Sequence, residues 1–567
     1  MRPTQNTEPA GYWSMTRDLQ CFPLNTINTI NTIITINTII PIHSSIIDSS
    51  LNMGLPGSWE TLPIELHFQI LEALTTHLAR HMLAKLATVC RQWQGFIEKL
   101  TFRHLVLNYY NINDFRDMVT GKNLSRLGII RHIWLRVELP GYDCSVCRQA
   151  ENEQEIARNN YIFTSIVSEL LAILSLWNSD AVTKGLVLEL SAQSWSDSKH
   201  VYRDFRLDHD YPYVTEDDLS DEANYTNYHR FARHIRRDNV FSIQHGLTGN
   251  IRSRRQMTSG EQKRLRGTRP LSFEHNPKFP MVNLEFPIVK VVRGLVIRRQ
   301  FHRNISHKAL AQLFQQSFRN INMLRLEQTR DVDHATQRAS WQDILDHLLP
   351  SFPPSLEYLH FYQGAHHHLC SSYVIEEDPS LSIALARTSY QMTEFAWTSH
   401  ISSAKILNDF WAGTGAANTH SWPRLQHALL MMRELNPTHS SRSECIESLC
   451  TASAAALRMP KLKSMELWYS RHDSVTIFLY SNEGENPTIT WRGWGEQHQR
   501  VIFQESVIKA WQEVANHHEH KDIVVIEELL QLDNAECGLH HLRLKKLLLD
   551  PRSLWQSRFE SKHGEVW

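Results

Sequence analysis

Between residues 130 and 467 the chain returns again and again to one short arrangement, apolar-x-x-apolar-x-apolar. It stands at Ile130, Ile133 and Leu135, and a related run follows at Leu186, Leu188 and Leu190. It returns at Val292/Leu295/Ile297, Ile321/Leu324/Leu326, Leu356/Leu359/Phe361 and Met392/Phe395/Trp397, then at Leu425/Ala428/Leu430 and Leu462/Met465/Leu467. Alternate strand residues point to one face, so the last two positions of each run predict a strand with one buried side, and the first packs in the turn before it. Helical patterns over 308–318, 341–349 and 443–458 fill gaps between these strands, and proline often precedes a strand, as at Pro353-Pro354, Pro423 and Pro460. From Leu324 the middle position recurs at 359, 395, 428 and 465, every 33 to 37 residues. A strand and a helix per period predict stacked units, an irregular α/β solenoid over 125–470. An ordinary α/β domain with parallel strands is the other reading.

A different pattern precedes it. Leu62-Pro63 opens a helix, with proline where the missing N–H costs nothing and Glu65 in the first turn, where a carboxylate suits the dipole. Leu66, Ile70, Leu71 and Leu74 follow at helical spacing. A second apolar set is Met82, Leu83, Leu86 and Val89; a third is Trp93, Phe96, Ile97 and Leu100, ending near Phe102 and Leu105. Three short helices cannot bury that much apolar surface among themselves, so some should remain for a partner.

The order of these residues resembles the F-box. The family's helix start is met by Leu62-Pro63-x-Glu65-Leu66, its apolar pair by Ile70-Leu71, and its second helix by Leu83-x-x-Leu86-x-x-Val89-Cys90-Arg91-x-Trp93. Phe102-x-x-Leu105 stands for the closing aromatic-x-x-Leu. The link from Thr75 to His81 is longer than the family's usual one and lacks its acidic residue, and Phe102 stands where the family often has Trp. The later strand motif resembles leucine-rich repeats, with a longer period and no Asn/Cys ladder position. Two further runs, Val289 to Phe301 and Ala454 to Tyr469, resemble fungal F-box proteins whose C-terminal region is uncharacterised.

The resemblance implies an α/β fold class: a three-helix F-box over 58–107, then an irregular leucine-rich-repeat-like solenoid. It implies a non-catalytic substrate receptor of an SKP–cullin–F-box ubiquitin ligase, docked on a Skp-type adaptor and through it on a cullin and a RING subunit. The adaptor-binding residues it implies are Leu62, Pro63, Ile70, Leu71, Leu83, Leu86, Val89 and Trp93, and the repeat region would hold a protein substrate. A scaffold that works outside the ligase is the alternative.

The remaining features change this picture little. Lys and Arg number 59 against 60 Asp and Glu, a net charge of −1, so there is no global case for nucleic acid or an acidic membrane. The eight cysteines are scattered, and a cytosolic or nuclear compartment is the default. Residues 25–40 form a near-tandem Asn-Thr-Ile repeat whose interruptions argue against a membrane helix or signal peptide. Residues 1–55 read as low-complexity and disordered, with Met53 a candidate translation start. A disordered basic insertion is expected near 245–280, where eight Lys and Arg from Arg252 to Lys278 face only Glu261 and Glu274.

Toward the end of the chain, Val475–Tyr480 and Thr488–Trp494 predict a hairpin, and 504–515 a helix. With a basic, Leu-rich stretch over 539–549, residues 471–567 are expected to cap the solenoid. Cys144-x-x-Cys147 lacks a second pair for zinc and sits in a Pro-Gly loop; His366-His367-His368 follows a predicted strand. No phosphate loop or nucleophile elbow is present, and no cofactor is expected. The tryptophans, 16 in all, are expected mostly in the core.

Overall fold

The computed structural model describes residues 62–529 together with Ser553. Excepted are 77–82, 84, 121–125, 183, 198–257, 274–284, 300–302, 330–333, 365–378, 399–405, 408–420, 436–440, 472–473, 495–503 and 519–520. The expectations for residues 1–55, His366 to His368 and the stretch 539–549 therefore lie outside the described residues, as does the link from His77 to His81. The chain divides into two compact units, Met1–Ile70 and Leu71–Trp567.

The first unit's described residues are Leu62, Pro63 and the part of helix α1 (Ile64–Thr76) up to Ile70; the rest of α1 belongs to the second. After α1 the described chain has helical backbone at residues 83, 85 and 86 and a turn through Val89. Then come α2 (Arg91–Thr101), β1 (His104–Leu107), α3 (Ile112–Met118), β2 (His132–Leu139) and α4 (Glu153–Ser175). After these follow β3 (Leu186–Ser194), α5 (Ser259–Arg266), β4 (Val292–Ile297), α6 (His307–Gln316) and β5 (Met323–Thr329). Further on are α7 (His334–Asp343), β6 (Tyr358–Gly364), α8 (Pro379–Ser389), β7 (Glu394–Thr398), β8 (His427–Met431) and α9 (Arg442–Ala456). The last elements are β9 (Ser464–Arg471), β10 (Ser474–Ser481), β11 (Thr488–Trp494), α10 (Glu505–His518) and β12 (Val524–Leu529).

The twelve strands among the described residues form one sheet, and its order is the order of the sequence. Neighbours from β1 to β9 are parallel, β9–β10–β11 is an antiparallel meander, and β12 returns parallel to β11. Parallel neighbours require a crossover, and helices supply several of these, such as α4 between β2 and β3. The fold is thus mixed α/β. The hairpin predicted at 475–494 is β10–β11, and the helix predicted at 504–515 is α10.

The repeating middle position has a direct structural counterpart. Leu105, Ile133, Leu188, Leu295, Leu324, Leu359, Phe395, Ala428 and Met465 are register partners in succession, one per strand across nine strands. A second row two residues on includes Leu326, Phe361, Trp397, Leu430 and Leu467. Both rows lie in one continuous core with α4, α6, α8 and α9, where Phe163, Leu310, Leu385 and Ala452 are buried. The Phe361 and Trp397 rings stack at 4.1 Å. A chain of apolar rows of this kind makes each strand a ledge for the next.

Long α4 is absent from the helices that the sequence pattern predicts, although its start is well marked. Asn152 accepts from the N–H groups of Gln154 and Glu155, and the Glu155 carboxylate returns to the Asn152 N–H, a reciprocal cap. Strands β1 and β12 are likewise absent from the predicted elements.

Candidate functional site

In α1 the buried stripe is narrow. His67 and Leu71, four apart and so on one face, are 6% and 0% exposed, and Leu74 beside them is half-buried. The pairs Ile64/Phe68 and Leu66/Ile70 flank that stripe and are exposed, Ile64 to 52% and Ile70 to 38%. Leu62 and Pro63 are exposed as well. The apolar arc of the helix is therefore wider than the face it buries. Exposed apolar residues thus stand on both flanks of the buried stripe.

The remaining predicted contact residues separate by burial. Leu83 is buried, Leu86 and Trp93 are half-buried, and Val89 is 59% exposed in the turn before α2. Trp93 shares the α2 face of Ile97, which is buried, whereas Leu100 is exposed. Of the eight residues, Leu62, Pro63, Ile70 and Val89 are available to a partner, while Leu71 and Leu83 serve packing. Ile64, Phe68 and Leu100 are exposed apolar residues that the sequence pattern did not single out as contacts. The width of the apolar arc was their available signal.

The end of this segment belongs to the sheet. Phe102 and Leu105 pack on the core, and Leu105 lies in β1. Arg126 sits 4.9 Å over the Phe102 ring and pairs with Glu98 at 2.8 Å. Burial pushes the Glu98 carboxyl up, but the bonds from Arg126 and Gln94 outweigh this and hold it below the usual range.

The opposite face of the sheet is polar and, unexpectedly, also buried. Trp134, Glu189, Val296, Arg325, His360, Ala396, Leu429 and Glu466 form a register row on it, and of these Arg325 alone is half-exposed. Within this face Arg298 Nε donates to Glu189 Oε1, and His132 Nε2 lies 2.9 Å from Glu189 Oε2. The Arg298 guanidinium lies 4.7 Å over the Trp134 ring, whose Nε1–H donates to Ser191 Oγ at 2.7 Å. Buried charges persist only when paired in this manner.

Beyond the carboxyl ends of β2 and β3, a second polar network joins distant segments. Arg264 donates through Nε to the Gln149 carbonyl at 2.6 Å and through Nη1 and Nη2 to both Glu155 oxygens. Arg303 Nη1 and Asn159 Nδ2 donate to Glu151 Oε1, each at 2.7 Å, and the Thr268 N–H donates to Glu151 Oε2. The Tyr142 hydroxyl donates to Asp197 Oδ1 and the Ser194 N–H to Asp197 Oδ2, both at 2.9 Å. Burial pushes the Asp197 carboxyl up to about 6, with Arg303 opposing, and raises the Tyr142 phenol.

These bonds correct the expectation of a disordered basic insertion, for its middle is ordered. Thr258 and Glu261 form a reciprocal cap on α5, Arg264 and Arg266 are each 3% exposed, and Leu271 bridges to Ile305 in the core. Two of its basic residues, Arg264 and Arg266, are buried. The carboxylate and carbonyl partners of Arg264 lie more than a hundred residues away, which a local composition cannot show. Farther along the chain, the described Ser553 donates to Glu327 in β5.

At the Cys-x-x-Cys motif, the Cys147 thiol is buried and donates to the Cys144 carbonyl at 3.1 Å. Burial, with Cys144 and Glu261 nearby, pushes this thiol up, away from the thiolate that metal binding or exchange chemistry needs. No group of three or more His, Cys, Asp or Glu suited to a metal occurs among the described residues. Among them, too, no helix is long and apolar enough to cross a membrane. Trp397, Trp422, Trp468 and Trp491 are buried, as core tryptophans would be.

A family of unknown function (DUF6546) matches residues 351–550. The span takes in β6 to β12 and leaves residues 62–105 outside it. No curated protein matches the chain.

Proposed function

We propose that the chain is a non-catalytic substrate receptor of an SKP–cullin–F-box ubiquitin ligase. Residues 62–105 dock on the Skp-type adaptor, and the sequence-ordered sheet is an irregular leucine-rich-repeat-like solenoid that receives a protein substrate. The observation that carries this reading is a coincidence of two kinds. The segment with the F-box-like order of residues also exposes Leu62, Ile64, Leu66, Phe68, Ile70, Val89 and Leu100. Adaptor, cullin and RING subunit then bring a charged conjugating enzyme. The chain's contribution is proximity, which turns transfer to a substrate lysine into an effectively intramolecular step.

Co-purification of the full chain with a Skp-type adaptor and a cullin tests this. Capture of both, lost in Ile70→Asp with an unchanged melting curve, supports the receptor. Capture of adaptor without cullin favours a scaffold outside the ligase. Failure to capture the adaptor overturns the docking assignment.

A further inference from the structure

Strands β1 to β9 are parallel, so all nine enter the sheet at one edge. That edge is basic. The five residues before each of these strands hold nine Lys and Arg in all and one carboxylate, Glu357. The five residues after each of β1 to β8 hold five Lys and Arg against five Asp and Glu. The asymmetry therefore belongs to one edge, and it vanishes in the whole-chain balance of 59 against 60. Two stretches of the edge are built from adjoining turns. In the first, the Arg293 side chain fills the space that a Cβ on Gly185 would take, next to Lys184. Its Nη1 donates to the Asn320 carbonyl at 3.1 Å, next to Arg319. In the second, the Lys463 N–H donates to the Gln426 carbonyl at 2.7 Å, with Lys461 and Arg424 close by in the same two turns. These six cations are all exposed, and none pairs with a carboxylate among the described residues.

We propose that this edge binds the phosphate backbone of a nucleic-acid duplex without reading its bases. From β3 to β9 it runs roughly 29 Å at the usual strand spacing, the length of about eight base pairs. No aromatic ring is exposed in the nine turns: Phe318 and Trp422 are buried, and Phe102 and Tyr390 half-buried. Single strands are held by bases stacked on such rings, and protein partners by exposed aromatic anchors, so neither has its usual handle here. An acidic peptide would gain little from each exposed ion pair and would lose chain entropy on being ordered. A duplex is already stiff, and it releases condensed counterions as lysine and arginine replace them. The proposal does not depend on whether residues 62–105 dock an adaptor.

The test is fluorescence anisotropy of the full chain with a labelled DNA duplex of arbitrary sequence, from about 50 to about 200 mM salt. Affinity is expected to fall with a log–log slope of about −3 to −5, as contact with several phosphates requires. Two triple variants carry the same change in net charge. Arg293→Glu with Arg424→Glu and Lys463→Glu reverses the edge and should weaken binding at least about ten-fold. Arg148→Glu with Lys308→Glu and Lys509→Glu changes exposed cations outside the nine turns and should stay within about two-fold of the parent. A third variant with Gln at the three edge positions adds no carboxylate and should lose about half as much on a logarithmic scale. No binding at the lowest salt, affinity independent of salt, or equal losses in the two Glu triples would each overturn the proposal. Poly-glutamate competing as well as duplex at equal charge would overturn it in favour of an acidic protein. Adaptor capture should be unchanged by the edge variants, and its failure in the parent would bear on the receptor reading alone.

Discussion

Arg325 donates to Nδ1 of His360, its cross-strand partner, at 3.2 Å from Nε and 3.0 Å from Nη2. That bond fixes the tautomer: Nδ1 must accept, so Nε2 carries the proton and donates to Glu394 Oε2 at 3.3 Å. Burial pulls the imidazole down to about 4; the Glu394 bond opposes this and the Arg325 cation adds to it. Burial also lowers His307 to about 4, with its Gln328 bond opposing. Both rings are neutral in the fold at pH 7. As pH falls from 6.5 toward 4 the unfolded chain binds protons that the fold refuses, so stability is lost over that window. We expect the melting temperature to fall by several degrees between pH 7 and 5, and His360→Gln to reduce that fall. An unchanged pH dependence in this variant would place the acid sensitivity elsewhere.

Adjacent residues Ile70 and Leu71 should respond oppositely to the same substitution. Leu71 is wholly buried, so Leu71→Asp leaves a charge without water and should cost at least about 3 kcal/mol, enough to lower the melting temperature sharply. Ile70 is 38% exposed, and Ile70→Asp should stay within about 0.5 kcal/mol of the parent while removing adaptor capture. Thermal melts paired with co-purification separate the two. If Ile70→Asp melts like Leu71→Asp, the exposed flank of α1 is a packing surface and not a docking one.

Arg264 is the fork that fastens α5, and a lysine cannot replace it. Its guanidinium spans the Gln149 and Ala150 carbonyls and both oxygens of Glu155, and it lies 5.0 Å over the Tyr142 ring. An ammonium supplies one point of charge and cannot make this set of bonds. Arg264→Lys is expected to destabilise by about 1–3 kcal/mol and to speed amide exchange over 258–273 before the rest of the chain. Uniform exchange changes across the sheet would mean that α5 does not open separately.

How much of this was legible beforehand depended on distance along the chain. The row from Leu324 to Met465 was readable because each member is set by its own strand's alternation, and the period carried it from one strand to the next. The cap of α4 was equally local, at Asn152 and Glu155, and could have been read. Strand β12 carries Val524 and Val525 at 42% and 38% exposure, so its sequence shows no clean buried side and its place is set by pairing with β11. The burial of the polar face had no local signal at all. Glu189 meets Arg298 across 109 residues, and Glu327 meets Ser553 across 226. In the candidate docking segment the order of residues was visible, but the difference between Ile70 and Leu71 was not, because both are apolar and only the packing separates them.

Gly267 offers a backbone test of the same junction. It follows α5 at φ 87°, a left-handed conformation that glycine adopts without a steric penalty and alanine does not. A Cβ there would also lie 2.7 Å from the Arg269 carbonyl oxygen and 2.8 Å from Nη1 of Arg303. The backbone oxygen cannot move aside cheaply, and Arg303 is held by its bond to Glu151. Gly267→Ala is expected to cost about 1–3 kcal/mol, from the conformation and the contact together. Chemical denaturation should show a lower midpoint with an unchanged slope. A variant as stable as the parent would mean that the chain at 267–269 relaxes without disturbing the Arg303–Glu151 pair.

Asp197 should act on pH in the direction opposite to the histidines. Its carboxyl is raised from 3.8 to about 6 in the fold, so between those values the folded chain holds a proton that the unfolded chain has released. Stability from this group therefore falls as pH rises through the window and stays low above about 6. Asp197→Asn removes that contribution while an amide still offers one oxygen to the Ser194 N–H and an N–H to the Tyr142 oxygen. With the opposing group gone, only the histidine-type dependence remains, and the loss of stability on acidification from pH 7 to 5 should become steeper than in the parent. Melting temperatures across that range for parent, Asp197→Asn and His360→Gln measure all three slopes. A parent-like slope in Asp197→Asn would mean that the carboxyl titrates at its ordinary value and that Arg303 and the two hydrogen bonds fully offset its burial.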